Sequence, residues 1–268
     1  MSRCRCWNWN AVVLMASALG AALAGLALSG CGGGLDVGSD LLWTARHEVG
    51  DLSEWTALPG GGTEVVAPSA VEISSTQVHQ GRFGAKLTIT AGANDGQQTT
   101  ALGRAGGLPR EAYYSAWYYL PQAVAVRTFW VIMKFRIRNV PDNPGTVGEL
   151  YDLDLYNLPG GEMSLRLYDH RTGMNPTLDV TDPIVPSERW FQVEAFYRNA
   201  QDSTGRLTYW LDGTKIVDIQ GMAMAPNSWV GWQACSVGRD LVPATAVLYV
   251  DDAAISRTRV TPTGILAR

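Results

Sequence analysis

The sequence predicts an all-β protein, a sandwich of two antiparallel sheets, and three observations lead to this expectation. Apolar and polar residues alternate with a period of two along the chain, and no sustained helical periodicity occurs after Leu41. The 29 glycines and 13 prolines are scattered as turns among Val, Thr, Tyr and Trp, which excludes collagen and wholesale disorder. The 268 residues, 46% of them hydrophobic, are enough to bury a substantial core.

The alternating segments give the strands in order. They are residues 69–75, 85–90, 113–120, 129–138, 149–156, 162–170, 190–198, 206–211, 215–219 and 246–256. Asp212 and Gly213 separate two of these segments and predict a tight hairpin, because glycine readily adopts the positive φ that such turns need. So many strands in one uninterrupted stretch predict a single sandwich domain at residues 43–260, followed by a C-terminal tail at 261–268.

The first 30 residues are typical of an export signal. Arg3 and Arg5 precede an apolar run at residues 11–27, which is short for a membrane span and typical of a cleavable signal peptide; an uncut signal anchor is the alternative. The segment Leu28-Ser29-Gly30-Cys31 resembles a bacterial lipobox. That resemblance implies a lipid-anchored lipoprotein of the bacterial cell envelope with lipid on Cys31, and Gly32 after it implies the outer membrane. Residues 31–42 are then expected to form a flexible tether.

Charge and cysteine content exclude several classes of partner and site. The formal net charge is −4, and the chain contains only three lysines, so nucleic acid is not an expected partner. Cys4 and Cys6 are expected to leave with the signal peptide and Cys31 to carry lipid, which leaves no second cysteine to form a disulfide with Cys235. The exported chain therefore has no disulfide framework and no cysteine-based zinc site.

Four short segments, taken in chain order, resemble concanavalin A-like jelly-roll modules of the polysaccharide-lyase-like (heparin lyase I-like) and LamG-like branches. They are residues 50–55 (Gly-Asp-Leu-Ser-Glu-Trp), 80–87 (Gln-Gly-Arg-Phe-Gly-Ala-Lys-Leu), 114–121 (Tyr-Ser-Ala-Trp-Tyr-Tyr-Leu-Pro) and 249–256 (Tyr-Val-Asp-Asp-Ala-Ala-Ile-Ser). The resemblance spans nearly all of residues 43–258. It implies a jelly roll whose groove, on the outer face of one sheet, takes a polysaccharide. Such folds carry lectins, hydrolases and lyases alike.

Alternation also sorts the side chains of each predicted strand onto two faces. Phe129 and Val131 are expected on the core face of their strand. The side chains expected on the outer face, where they could bind a sugar chain, are Trp130, Lys134, Arg136, Arg138, Asp152, Asp154, Tyr156, Arg166, Tyr168, His170 and Glu194. Aromatic rings stack on sugars, and planar guanidinium and carboxylate groups bind hydroxyls in pairs. We therefore predict polysaccharide binding as the function, with no cofactor required.

Part of this set also fits a polysaccharide lyase, which is the main alternative. A lyase removes the proton α to a uronate carboxylate, so it needs a cation for the carboxylate and an acid–base pair. Arg136 or Arg166 could neutralise the carboxylate, with His170 as base and Tyr168 as acid. Against this, the same cations could form ordinary cross-strand ion pairs with Asp152 and Asp154. In addition, the characteristic sequence motifs of alginate lyases do not occur in the chain.

Two other classes stay open beside these. Asp152 and Asp154 share a face, as a hydrolase would need, but the laminarinase-like pattern Glu-x-Asp-x-x-Glu does not occur. A structural or adhesive lipoprotein without a sugar site is the remaining alternative.

A structural calcium is a further expectation from the resemblance. Jelly rolls of this kind often hold the ion where the opening loop meets the closing strand. Glu48, Asp51 and Asp252 would supply the oxygen ligands that calcium prefers. The alternative is that Asp251 and Asp252 cap a strand end by hydrogen bonding.

Overall fold

A computed structural model describes residues 40–55, 61–138, 148–176, 178–224 and 229–262. Within these ranges the chain forms fifteen strands and one short 3-10 helix at Ser53–Trp55. All of them belong to one compact unit. The predicted signal peptide, Cys31 and most of the predicted tether lie outside the described residues.

The strands, in chain order, are β1 (Leu41–Ala45), β2 (Gly62–Val65), β3 (Ala70–Ser74), β4 (Gly84–Thr90), β5 (Gln98–Ala105), β6 (Glu111–Tyr119), β7 (Ala125–Arg138), β8 (Gly148–Asn157), β9 (Met163–Asp169), β10 (Ile184–Val185), β11 (Trp190–Arg198), β12 (Gly205–Leu211), β13 (Thr214–Met222), β14 (Trp229–Val242) and β15 (Thr245–Ser256). They form two sheets in which every pairing is antiparallel. The predicted two-sheet sandwich is confirmed.

The two sheets have different strand orders. The eight-stranded sheet runs β13-β12-β11-β6-β15-β4-β3, with β1 also paired to β15. The seven-stranded sheet runs β10-β9-β8-β7-β14-β5-β2. Strands that are distant in sequence are thus neighbours, as in a jelly roll, and β7, β8 and β9 lie side by side. We call the side of the seven-stranded sheet that points away from the core the groove face.

The core between the sheets comes from alternate residues of facing strands. On β11 the predicted inward residues, including Phe191 and Tyr197, are at most 1% exposed. Phe135 of the other sheet stacks on Tyr197 with ring centroids 4.4 Å apart and meets Tyr114 edge to face at 5.1 Å. Large aromatic rings therefore fill the interior, where each buries much of its apolar area.

The predicted hairpin lies between β12 and β13. Asp212 has a φ of 46° and Gly213 a φ of 80°. Two successive residues with positive φ match the right-handed twist of the flanking strands. The Asp212 carboxylate also accepts a hydrogen bond from the backbone N–H of Gln192 at 2.8 Å, which ties the turn to β11.

The two ends of the described domain meet. β1 pairs with the second half of β15, with Leu41 opposite Ser256. The backbone N–H of Arg257 donates to the carbonyl of Asp40 at 2.8 Å, and the Ser256 hydroxyl donates to the same carbonyl at 3.0 Å. The first strand thus begins at Leu41, two residues before the predicted start of the domain.

Two long strands, β5 and β14, were not among the sequence predictions. The described side chains of both are buried along nearly their whole length. β14 pairs with β5 on one side and β7 on the other. A strand covered on both faces carries no alternation of apolar and polar residues, so a period of two cannot reveal it.

A bulge in β7 reverses the predicted sidedness of its first half. Val131 lies opposite Asp154, but Met133 lies opposite the next residue of β8, Leu153. One extra residue in β7 shifts the alternation by one position. Met133 therefore faces the core as predicted, whereas the expectation that Phe129 and Val131 do so is wrong, since both lie on the groove face.

Candidate functional site

The groove face gathers the residues predicted on three neighbouring strands. In the ladder from β7 through β8 to β9, Lys134 lies opposite Asp152, and Asp152 lies opposite Tyr168. One step along, Asp154 lies opposite Arg166. Residues directly opposite each other in antiparallel strands share a face. The structure therefore places on one face the side chains of β8 and β9, and Lys134 of β7, that the sequence predicted there.

These side chains line a pocket with a volume of about 280 Å³. The predicted residues in its wall are Lys134, Asp152, Asp154, Arg166, Tyr168 and His170. Five further residues in the wall were not predicted as site residues: Gln97, Thr128, Phe129, Val131 and Val237. The pocket thus has a polar side that can bind charges and hydroxyls and an apolar side that can contact a sugar ring.

His170 is held by a carboxylate and lies beside a phenol. Its Nε2 is 2.9 Å from Oδ2 of Asp152, and its ring meets the ring of Tyr168 edge to face with centroids 4.8 Å apart. A carboxylate that accepts the Nε2 hydrogen leaves the lone pair of the neutral ring on Nδ1. His170 lies just after β9, and its backbone N–H donates to the carbonyl of Leu150 on β8 at 3.0 Å, which holds it to the sheet.

Asp154 and Arg166 form the second polar pair of the pocket. Arg166 Nε lies 3.3 Å from Asp154 Oδ2, and one terminal nitrogen of the guanidinium donates to the carbonyl of Thr128 at 3.2 Å. Burial raises the pKa of Asp154 to about 7, the charge of Asp152 adds to the rise, and Arg166 opposes it. Near neutral pH this carboxyl group therefore changes charge next to the guanidinium.

Arg136 has a partner that the sequence analysis missed. Its Nη1 donates to Glu64 Oε2 at 2.9 Å, and the side-chain amide of Gln233 donates to the same oxygen at 3.3 Å. Glu64 lies on β2 and Gln233 on β14, two strands that alternation did not reveal. No sequence signal marked either residue, because only the sheet order brings them to Arg136.

The prediction that Trp130 offers a sugar-stacking surface is wrong. The side chain is 0% exposed and packs in the core. Its indole Nε1 donates to the Ser236 hydroxyl at 2.8 Å. The bulge in β7 explains the error, because it exchanges the faces of Phe129 and Trp130. Phe129, not Trp130, is the aromatic ring of β7 on the groove face.

Glu194 was also predicted on the sugar-binding face, and the structure places it on the other sheet. It lies on β11, is 1% exposed, and accepts hydrogen bonds from Arg259 Nε and the backbone N–H of Val260, both at 2.6 Å. Burial raises the pKa of the Glu194 carboxyl, and Arg259 opposes that rise. Alternation gives the face of a strand but not its sheet, so the sequence could not separate Glu194 from the groove residues.

The other predicted binding residues are Tyr156 and Arg138. The Tyr156 hydroxyl donates to Asp182 Oδ1 at 2.9 Å, and the Arg166 guanidinium carbon lies 5.9 Å from the centre of its ring. Tyr156 is therefore next to the pocket. The side chain of Arg138 lies outside the part of the chain that the structure describes.

The three carboxylates predicted as calcium ligands each accept hydrogen bonds from protein groups. Glu48 Oε1 accepts from the backbone N–H of Arg82 at 2.8 Å, and Asp51 Oδ1 accepts from that of Ser53 at 2.9 Å. Asp252 Oδ2 is 2.7 Å from Nδ1 of His79. Among the described residues, no three His, Cys, Asp or Glu side chains are grouped so that they could hold a metal ion. Glu48 and Asp252 line one pocket, and Asp51 is not in its wall. The calcium site stays a prediction.

The predicted lipid anchor lies outside the described ranges, and so does the apolar run before it. In the part of the chain that the structure covers, no helix has the length and apolar character needed to cross a bilayer.

Comparisons with known proteins bear on the fold. No protein-family model matches the sequence, and no curated protein matches it either. Among solved structures, the fold is similar to an endo-β-1,4-glucuronan lyase from the fungus Trichoderma reesei (TM-score 0.60, 14% identity, 81% of this chain and 96% of that chain). It is also similar to alginate lyases from Aplysia kurodai (0.54, 8%, 81% and 99%) and from Chlorella virus (0.52, 12%, 82% and 100%). At these identities the similarity is one of fold, and the chain has the jelly-roll sandwich of known polysaccharide lyases.

Proposed function

We propose that the groove face binds a uronate-containing polysaccharide and cleaves it by β-elimination. The observation that carries the proposal is the pair of Tyr168 and His170, held by Asp152 in the same pocket as Arg166. An acid–base pair and a cation for the carboxylate are the groups that this chemistry needs. The proposal is supported, at the level of fold, by the glucuronan and alginate lyases with the same sandwich.

Each side chain has a role in this proposal. Arg166 binds the uronate carboxylate, which makes the hydrogen on the adjacent ring carbon, C5, more acidic. His170 Nδ1 takes that proton, and the electron pair left on C5 forms the C4–C5 double bond. The bond between C4 and the glycosidic oxygen then breaks, and the Tyr168 hydroxyl supplies the proton to that oxygen. The products are an unsaturated uronate end and a new reducing end.

In this proposal, the charge of Asp154 sets the pH range in which the pocket binds its substrate most tightly. The pKa of Asp154 is about 7, so below that pH the carboxyl group is mostly neutral. A neutral Asp154 competes less with a substrate carboxylate for Arg166. We therefore expect tighter substrate binding as the pH falls through about 7, as long as the substrate's own carboxylates stay charged.

Binding without turnover is the second candidate function. One observation favours it: Arg136 and Arg166 already pair with Glu64 and Asp154. Cross-strand ion pairs of this kind stabilise a sheet without any catalytic role, and they can still hydrogen-bond sugar hydroxyls.

The experiment that separates the two uses purified protein and a panel of polyuronates and neutral glucans. Growth of ultraviolet absorbance reports new unsaturated uronates, and binding is measured on the same samples. His170→Ala is expected to abolish the absorbance and keep binding. His79→Ala is the matched control, because His79 also lies beside an aspartate, Asp252, but away from the pocket. Binding with flat absorbance in the wild-type protein would leave binding alone as the function.

We further propose that the protein reaches the bacterial cell envelope as a lipoprotein, anchored at the outer membrane through Cys31. The lipobox-like segment at residues 28–31 supports this proposal. The test is incorporation of radiolabelled palmitate in cells. Cys31→Ala is expected to abolish it, whereas Cys235→Ala, which changes the buried thiol of β14, is expected to retain it.

A further inference from the structure

We infer that a pocket between the two sheets, at the end of the sandwich where β6 begins and β11 ends, binds one small neutral molecule that carries hydroxyl groups and is the size of a single sugar ring. This pocket shares no residue with the pocket on the groove face. The inference goes beyond the proposed function, because it assigns a second ligand to the core side of the sandwich.

The wall of this second pocket comes from both sheets. It consists of Tyr114 of β6, Tyr197 of β11, Asn199 just after β11, Val230 of β14 and the loop at residues 106–110 between β5 and β6. We call it the end pocket. Both tyrosines and the valine belong to the core between the sheets. The volume is about 280 Å³, close to the ~300 Å³ at the lower end for ligand pockets, which is room for one ring rather than for a chain.

Two hydrogen bonds fix the loop of the end pocket to the end of β11. The backbone N–H of Asn199 donates to the carbonyl of Arg110 at 2.7 Å, and Arg110 Nε donates to the carbonyl of Asn199 at 3.2 Å. Gly106 and Gly107 have φ values of 73° and 65°, a conformation that glycine adopts without steric cost. The wall is thus formed before a ligand arrives, so binding does not have to order it.

Two buried polar atoms of the wall residues have no hydrogen-bond partner among the described residues. They are the hydroxyl of Tyr197, a residue that is 1% exposed, and Oδ1 of Asn199. The Tyr197 ring stacks on Phe135 with centroids 4.4 Å apart, which fixes its orientation. A buried polar atom without a partner is costly to the fold. A ligand in the end pocket that hydrogen-bonds to both atoms removes that cost.

The chemistry of the wall indicates the class of ligand. Asn199 Oδ1 can only accept a hydrogen bond, so the ligand carries a donor such as a hydroxyl group. Leu108, Pro109 and Val230 offer apolar contacts, and aromatic rings pack on the apolar face of a sugar. None of the described wall residues is acidic, and the one cation, Arg110, is exposed. A neutral sugar ring or cyclic polyol meets these conditions.

The test is a series of saturation-transfer NMR titrations of the full-length protein with methyl glucopyranoside, methyl mannopyranoside and myo-inositol. We expect at least one of them to bind with a Kd in the millimolar range. Tyr197→Phe keeps the ring and is expected to raise that Kd about 3–10-fold, and Tyr197→Phe/Asn199→Ala about 10–100-fold. Tyr209→Phe is the matched control, because the Tyr209 hydroxyl is also buried without a described partner but does not line the end pocket. Its Kd is expected to equal that of the wild-type protein.

Thermal unfolding distinguishes binding in the end pocket from the general effect of sugars. Sugars are excluded from protein surfaces and stabilise folded proteins without a site, and this effect is the same in every variant. At ten times the wild-type Kd, the ligand is expected to raise the Tm of the wild-type protein and of Tyr209→Phe by about 2–4 °C more than that of Tyr197→Phe/Asn199→Ala. Circular dichroism shows whether each variant keeps its fold.

A sugar ring could come from a free monosaccharide or from the end of a glycan, and cellotriose separates these two sources. Binding of the monosaccharides alone supports a site for a free sugar, and binding of cellotriose as well supports a site for a glycan end. Three results would overturn the inference: no binding of any compound, equal Kd values for Tyr197→Phe/Asn199→Ala and Tyr209→Phe, or loss of binding in His170→Ala. The last result would place the ligand in the pocket on the groove face. None of these measurements depends on cleavage of a polyuronate, so the proposed function stands or falls separately.

Discussion

Replacing Asp154 by asparagine tests the electrostatics of the pocket through the stability of the fold. Asp154 is 4% exposed, and the pKa of its carboxyl group in the folded protein is about 7, against an ordinary value of 3.8. The folded state thus binds this proton more tightly than the unfolded state does. The stability that comes from the bound proton is fully present below about pH 4 and is lost as the pH rises through about 7.

The size of the change in stability follows from the pKa shift of Asp154. About three pKa units, at 1.36 kcal/mol for each unit, correspond to roughly 4 kcal/mol of stability lost between low and high pH. Between pH 5 and pH 8 the loss is about 2–3 kcal/mol. The amide of an asparagine at this position has no proton to lose in that range. The stability of Asp154→Asn relative to the wild-type protein is therefore expected to increase by this amount from pH 5 to pH 8.

The assay is urea unfolding of both proteins at pH 5, 6, 7 and 8, with the free energy of unfolding extrapolated to water. Asp218→Asn is the control. The pKa of Asp218 is lowered to about 2, because hydrogen bonds from Arg206, Thr208 and Gln220 outweigh its burial. Asp218 therefore stays ionised from pH 5 to pH 8, and the difference between its variant and the wild-type protein is expected to be constant over that range.

One result would refute the reasoning. If the difference between Asp154→Asn and the wild-type protein stays within about 0.5 kcal/mol from pH 5 to pH 8, Asp154 is ionised throughout. The pH dependence expected for substrate binding at Arg166 would then have no basis.

Three further predictions concern single side chains. Tyr168→Phe is expected to lower the rate of the proposed elimination about 10²–10⁴-fold while polysaccharide binding is kept; an unchanged rate would remove Tyr168 as the acid. Trp130→Ala is expected to lower the free energy of unfolding by about 3–5 kcal/mol, because it leaves a cavity in the core, whereas a loss of sugar binding at full stability in chemical denaturation would contradict its buried position. Glu194→Ala is expected to destabilise the fold by roughly 2–4 kcal/mol, since Arg259 loses its buried partner. Limited proteolysis of the Glu194 variant is expected to cut sooner near residues 257–262, and an unchanged cleavage rate would count against that contact.

The sequence predicted the fold where each strand has one buried face and one polar face. β8, β9 and β11 show this pattern, and their faces were assigned correctly. β5 and β14 do not show it, because both of their faces are buried, and no local pattern marks such strands. The sequence analysis also missed β2, which carries Glu64, the partner of Arg136, and Gln233 of β14 donates to the same Glu64 oxygen. The missed strands therefore hid the contacts of Arg136.

The candidate site was predictable in part for the same reason. Asp152, Asp154, Arg166 and Tyr168 lie on regular stretches of β8 and β9, where alternation holds. Trp130 was misplaced because a single extra residue in β7 reverses the two faces, and nothing in the sequence around Ile132 signals a bulge. Glu194 was misplaced because the sheet to which a strand belongs depends on contacts between distant parts of the chain.

The pairing of β1 with β15 has a practical consequence for engineering this protein. Asp40 and Arg257 are joined by a backbone hydrogen bond, so the ends of the domain could be linked by a short loop of glycine and serine. New ends could then be opened in the exposed turn at residues 201–204, between β11 and β12. Such a rearranged chain would keep every strand of the seven-stranded sheet intact, and a reporter domain fused at the new ends would be attached through the other sheet.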